Sequence, residues 1–293
     1  NAETPADAER RQEAVRWSNR GSHYLQQGRP ARAVAALERA TRLDSTAGAA
    51  HFNLGLAHAR LEQHSAAVTA FEHTLALQPD NPRVLFALGV TLRSQHRYLE
   101  AAEYILRAIA LVPDLPEYHF ELGQVRRATG DFVAARAAFT RTLALDPDLL
   151  EARYLHSDLL ARDQQFAAAR ESFEQLLARD STHVRGLTGL GDLLIDMDRP
   201  REAVQFLERA IASDRYAPAP YYLLARAYDQ SAQAQKAQRA RIRFQQLSAA
   251  ERHLNQGNIY LRRREWIKAT AAFERALHSD STSIAVRVSL ATL

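Results

Sequence analysis

Residues 85–114 read LFALGVTLRSQHRYLEAAEYILRAIALVPD. Without a gap they overlie 119–148, HFELGQVRRATGDFVAARAAFTRTLALDPD, and 51–80, HFNLGLAHARLEQHSAAVTAFEHTLALQPD. The step is 34 residues in both directions, and a fixed period of that size marks an array of small supersecondary units. A Leu-Gly pair recurs at Leu54-Gly55, Leu88-Gly89, Leu122-Gly123 and Leu190-Gly191. A small residue follows at Ala67, Ala101, Ala135 and Ala203, then a bulky apolar one at Phe71, Ile105, Phe139 and Leu207. Proline closes the unit at Pro79, Pro113 and Pro147.

Each unit reads as two short amphipathic helices, with apolar residues at spacings of three and four. A polar turn such as ATGD (128–131) parts them, and proline stops the second helix. Asp44-Ser45-Thr46, Asp180-Ser181-Thr182 and Asp280-Ser281-Thr282 fall where the next helix needs an N-cap, so a hydroxyl cap is expected there. Glycine and alanine let the two helices approach closely, and the bulky residue fills the space beside them. No strand pattern appears along the sequence.

These residues resemble the tetratricopeptide repeat family, whose pattern runs bulky, Leu-Gly, Tyr, Ala, aromatic, Ala, Pro through each unit. Units beginning at Ala14, Gly48, Pro82, Pro116, Leu150 and Val184 follow it in phase, the first through Trp17, Gly21, Tyr24, Ala33, Leu37 and Ala40. The resemblance implies an all-α fold: a right-handed superhelical solenoid of antiparallel helix pairs. The expected organisation is a lead-in over 1–13, helical or poorly ordered, and six regular repeats over 14–217. An irregular seventh repeat over 218–249, an eighth over 250–283 and a terminal helix over 284–293, capping or truncated, complete it. The seventh carries Arg241 where a bulky apolar residue belongs, and the eighth starts two residues early at Ala250.

Composition removes several kinds of chemistry. Among 293 residues there is no cysteine, which excludes disulfides, thiolate metal sites and cysteine nucleophiles. No apolar run approaches the length needed to cross a bilayer, so membrane insertion is not expected. The chain opens NAETPADAER, with neither methionine nor leader, as a processed or trimmed form would. It ends in AVRVSLATL, too apolar for a cap, so the natural chain is expected to continue past Leu293. The compartment stays unassigned.

Catalytic and cofactor motifs are also missing. GLTGLG (186–191) follows no strand and contains the repeat's own glycine, Gly191, so it is not a phosphate loop. His51 and His58 occupy packing positions rather than forming a zinc pair, and Asp192, Asp196 and Asp198 read as a solvated face rather than a cation site. No metal or cofactor is expected, and the chain is read as not an enzyme. Net charge is +4, but residues 218–275 hold 11 basic and 4 acidic side chains. Lys236, Arg239 and Arg243 share one helical face there, and Arg262, Arg263 and Arg264 end a helix where cations suit the dipole. Without a ladder of aromatics to stack bases, a salt-bridged or partner-facing surface is favoured over nucleic acid.

The resemblance also implies a concave groove lined by the first helix of every unit. Its fifth position gives Phe52, Phe86, Phe120, Tyr154 and Tyr222, and its ninth gives Leu56, Val90, Asp158, Asp192 and Arg226. Arg93 and Arg127 come one repeat apart further along that helix, and Asp196 lies one turn past Asp192. An apolar zone flanked by arginines and followed by carboxylates suits an extended or helical peptide with apolar anchors beside a basic segment. The carboxylate clamp of co-chaperones needs lysine at the fifth position and does not carry over. The expected function is a protein- or peptide-binding scaffold or adaptor. The alternatives are a self-assembling scaffold, with the chain as its own partner, and the repeat arm of a larger enzyme.

Overall fold

A computed structural model describes residues 4–292. Among the described residues the chain forms sixteen α-helices and no strand. The helices of the first half are α1 (Pro5–Gln26), α2 (Pro30–Leu43), α3 (Gly48–Arg60), α4 (His64–Leu77), α5 (Pro82–Ser94), α6 (Tyr98–Leu111), α7 (Pro116–Ala128) and α8 (Phe132–Leu145). The second half holds α9 (Leu150–Arg162), α10 (Phe166–Arg179), α11 (Val184–Asp196), α12 (Pro200–Ser213), α13 (Pro218–Gln230), α14 (Ala234–Arg262), α15 (Trp266–Ser279) and α16 (Ile284–Ala291). Two compact units divide between Ala152 and Arg153. Residues 1–3 of the expected lead-in and Leu293 of the expected terminal helix lie outside the described residues.

The 34-residue pattern becomes one repeated contact between the two helices of a hairpin. A Cβ on Gly89 would lie 2.6 Å from Ile105 Cγ1 and 3.1 Å from the Ala101 carbonyl oxygen. On Gly123 it would lie 2.6 Å from Phe139 Cε1. Gly21, Gly55, Gly191 and Gly257 face Leu37, Phe71, Leu207 and Phe273 in the same way. One turn before each bulky residue stands an alanine: Ala33, Ala67, Ala101, Ala135, Ala169, Ala203, Ala237 and Ala269 are all fully buried. A residue without a side chain on one helix and a small one on the other therefore let the axes close around one large apolar group. Burying a Phe or Leu contributes about 1.5–3 kcal/mol, so the contact recurs as a nearest-neighbour stabilisation along each unit.

The turn between the two helices also repeats. Its second residue takes a left-handed conformation in every hairpin: Gly28, Glu62, His96, Gly130, Gln164, Asp198, Ala232 and Arg264 all have positive φ. The backbone reversal is thus the same everywhere, although only two of these residues are glycines.

The Asp-Ser-Thr stretches act differently from the expectation. Asp44 and Asp180 accept hydrogen bonds from both the backbone N–H and the hydroxyl of the threonine two residues on, at 2.7–2.9 Å. The carboxylate therefore builds the turn after one helix, and the cap of the next falls later. His183 Nδ1 accepts from Gly186 N at the start of α11, and Ser283 Oγ from Val286 N at the start of α16. Threonine cannot cap because the aspartate already holds its hydroxyl.

The expected division between seventh and eighth repeats also looks different. It falls inside α14, an unbroken helix of 29 residues. LSAAER (247–252) has no glycine, proline or aspartate to end the helix, and the two missing residues leave no room for a turn. Arg241 makes an ion pair with Asp229, and a buried Ala225 stands where most hairpins have glycine. A separate tie joins these elements. Arg243 donates to Asp280 at 3.1 and 3.4 Å, and the Tyr216 hydroxyl donates to the Thr282 carbonyl at 2.9 Å. Burial alone would raise the Asp280 carboxyl, but hydrogen bonds from Thr282 and Arg243 outweigh it and hold it below the usual range. The tie therefore contributes stability at neutral pH that is lost as acid protonates the carboxylate.

Two substitutions test this reading. Gly89→Ala should lower stability by about 1–3 kcal/mol in urea unfolding through overpacking against Ile105, although at an open helical site it would add about 1 kcal/mol. Ala232→Gly should raise stability by about 0.5–1 kcal/mol, since glycine removes the left-handed strain at that turn.

Candidate functional site

In the first unit, α3, α5 and the start of α7 build an apolar depression of about 620 Å³. Phe52, Leu56, Phe86 and Val90, all expected in the groove from sequence, line it together. The helical period explains this, because residues four apart on α3 and on α5 share one face. Each ring also rests on a deeper one. Phe52 meets Phe71 with centroids 5.9 Å apart, and Phe86 stacks on Tyr118 at 4.5 Å. These phenylalanines are half-buried: one face of each ring packs and the rest stays open to a ligand.

Two of the lining residues that sequence reasoning missed bear on ligand contact. Arg83 holds its guanidinium over the Phe52 ring at 5.5 Å. It sits at the second position of its unit, one that the family pattern also turns into the groove, so that signal was present. Tyr118 enters at a position that family geometry does not assign to the groove, and no sequence signal marked it. Phe120, expected beside Phe86, does not line the depression and instead packs on Phe139 at 5.8 Å.

The flanking charges differ in availability. Arg93 Nε donates to Glu121 Oε2 at 2.8 Å, so its charge is internally balanced. Arg127 is exposed, and no ion pair holds it among the described residues. Of the two expected arginines, only the second offers an unbalanced cation.

In the second unit the Tyr154 ring lies 6.3 Å from Phe173, with the Arg185 guanidinium 4.0 Å from its centroid. Asp158 is exposed. Arg226 binds both Asp192 and Asp196, at 2.8 and 3.2 Å, through its two terminal nitrogens. Burial, helped by the Asp196 charge, pushes the Asp192 carboxyl above the usual range, and Arg226 opposes this only in part. Arg226 therefore stands between carboxylates that could otherwise be read as a cation site, and no group of three His, Cys, Asp or Glu suited to a metal occurs among the described residues. Tyr222 is half-exposed and packs on Phe244 at 5.5 Å. On the basic face of α14, Arg243 is tied to Asp280 and Lys236 lies over the Tyr228 ring at 5.3 Å. His51 and His58 diverge, the first toward the Ser45 carbonyl and the second toward Gln63.

Comparison with known proteins agrees with this architecture. A tetratricopeptide repeat profile matches residues 19–82, 59–116, 86–149 and 120–184, and a second matches 160–217. The chain belongs to the tetratricopeptide repeat family, and its fold is the all-α solenoid of helix pairs that defines that class. No curated protein matches significantly in sequence. Among solved structures, pilF of Pseudomonas aeruginosa is 22% identical at a TM-score of 0.61, over 72% of this chain and 96% of that one. A tetratricopeptide repeat protein from Parabacteroides merdae is 14% identical at a TM-score of 0.63, over 96% and 98%. YrrB, described as a TPR protein with an unusual peptide-binding site, is 17% identical at a TM-score of 0.57, over 63% and 95%. At such identities the likeness is one of fold.

The Arg226 bridge makes a pH-dependent prediction. Arg226→Met should lower stability at pH 7 by about 0.5–1 kcal/mol, the figure kept small because the groups are half-exposed. The raised Asp192 carboxyl takes up its proton first as pH falls, so the deficit should shrink toward pH 4. Thermal melts of both proteins at the two pH values measure this.

Proposed function

We propose that this chain is a non-catalytic scaffold or adaptor that holds an extended or helical peptide by apolar anchors. The observation that carries the reading is the depression formed by Phe52, Leu56, Phe86 and Val90. Closing the hairpins requires Leu85, Leu88 and Gly89 to be apolar or small, and these are fully buried. It does not require Val90, which faces the opening, and Leu56 turns part of its side chain to the same opening while the rest packs on the core. Apolar side chains retained at an open surface mark an interaction site, and aromatic walls give a large contact area for little lost freedom. Arg83 and Glu117 at the rim can orient the ligand backbone or its polar groups. The ligand expected is a segment with two or more apolar side chains, with Arg127 favouring an acidic residue at one flank.

A display library of random 12-residue peptides panned on the full chain tests this. Selected peptides should be rich in Leu, Ile, Phe or Trp. Leu56→Asp combined with Val90→Asp should weaken their binding by about 30-fold or more, a hot-spot loss. Val90 packs against no core cluster among the described residues, so Val90→Asp alone should weaken binding with little change in melting temperature, whereas Leu56 also rests on the core and its substitution should lower it. Binding that survives both substitutions would place the ligand elsewhere and overturn the reading.

A further inference from the structure

A second surface, of different chemistry, lies at the turn joining α14 to α15. There the sequence runs RRREWIK over 262–268. Ile267 is 88% exposed, the highest value among the exposed large apolar side chains, and its neighbour Trp266 is 53% exposed. Arg262, Arg263 and Arg264 are all exposed, and no ion pair engages them among the described residues. Lys268 binds Glu265 at 2.6 Å, so one acid and one base cancel and three guanidinium charges remain. The reversal at Arg264, in the left-handed conformation, brings these arginines and the Trp-Ile pair to one hairpin end.

The other hairpins show how unusual the combination is. Leu99 and Val133 occupy the matching place and are exposed at 80% and 73%. The turn before Leu99 has its arginine paired, Arg97 to Glu100 at 2.6 Å. The turn before Val133 carries Asp131, which caps α8 and faces Arg126. Among the described residues, an exposed aliphatic–aromatic pair meets unbalanced positive charge only at 262–268. Helix-dipole stabilisation accounts for one cation near the end of α14, but not for three, and not for an isoleucine held in water.

We infer that this hairpin tip is a docking element for an anionic lipid bilayer surface, with Trp266 and Ile267 entering the headgroup layer and Arg262, Arg263 and Arg264 binding lipid phosphates. Tryptophan suits that depth because it joins a large apolar ring to one polar N–H. Guanidinium groups pair with phosphate in bidentate geometry. The tip lies on the membrane and does not span it, in keeping with the absence of any helix long and apolar enough to cross among the described residues. A nucleic-acid surface fits less well: bases are gripped by successive aromatic rings, and the tip offers one ring beside an aliphatic side chain.

The test uses the full chain carrying Trp17→Phe, which leaves Trp266 as the sole tryptophan of the two present. It is titrated with vesicles of phosphatidylcholine alone and with vesicles of phosphatidylcholine and phosphatidylglycerol in equal parts, at low salt. Anionic vesicles should shift Trp266 emission to the blue and bind the protein, whereas neutral vesicles should do neither. Each arginine near an anionic surface strengthens binding about fivefold. Replacing all three with glutamine should therefore weaken it roughly 100-fold, and Ile267→Ser should weaken it about tenfold. All four residues are exposed, so circular-dichroism melts should stay unchanged and separate lost docking from lost folding. No blue shift on anionic vesicles would overturn the inference, as would binding indifferent to Ile267→Ser. So would displacement from vesicles by a 20-base oligonucleotide that binds the tip more tightly than the lipid does.

Discussion

The structure depends on how closely two antiparallel helices can approach. At Gly89 the approach is so tight that one added carbon would lie 2.6 Å from Ile105. A fully buried alanine on the facing helix, Ala101 in this hairpin, completes the contact. The same arrangement recurs in most repeats, so within a unit such hairpins close in the same way. Orientation then decides which side chains are free. Residues on the inner face of α3 or α5 are committed to closing a hairpin, while those three or four positions away line an open surface. The apolar depression over α3 and α5 follows from that division of faces.

Where the residues of the contact change, the architecture changes with them. The seventh hairpin has Ala225 in place of glycine and pairs Arg241 with Asp229. Two residues fewer before the next unit remove the turn, and α14 runs on for 29 residues. Ties from Arg243 to Asp280 and from Tyr216 to Thr282 hold α14 and the elements on either side of it. The far end of the same long helix carries the arginine-rich tip. An irregularity in the repeat thus coincides with the surface that differs most from its counterparts.

Much of this was legible in the sequence, and the limits have physical causes. A 34-residue period with Leu-Gly, Ala and Phe in phase specifies helix pairs, since no other fold repeats those constraints together. The groove set Phe52, Leu56, Phe86 and Val90 came from the positions that the family resemblance turns inward, and the four-residue spacing keeps each helix's pair on one face. Tyr118 was not legible, because its entry depends on how the start of α7 lies against α5. Phe120 lies outside this depression although it rests on Phe139 much as Phe52 rests on Phe71, so equivalent positions in the repeat do not share one pocket. That Arg93 is balanced did not show in the sequence because its acceptor, Glu121, belongs to the next repeat. The continuity of α14 was hidden because a two-residue deletion can be absorbed by a shorter turn or by none, and only packing decides between them.

The central claim is that the open apolar face of α3 and α5 exists for a ligand. Solving the crystal structure of the full chain with a selected peptide tests that claim most directly. The account predicts an apolar peptide side chain seated within about 4.5 Å of Phe52, Phe86 and Val90. A peptide bound with those three residues still facing solvent would contradict it.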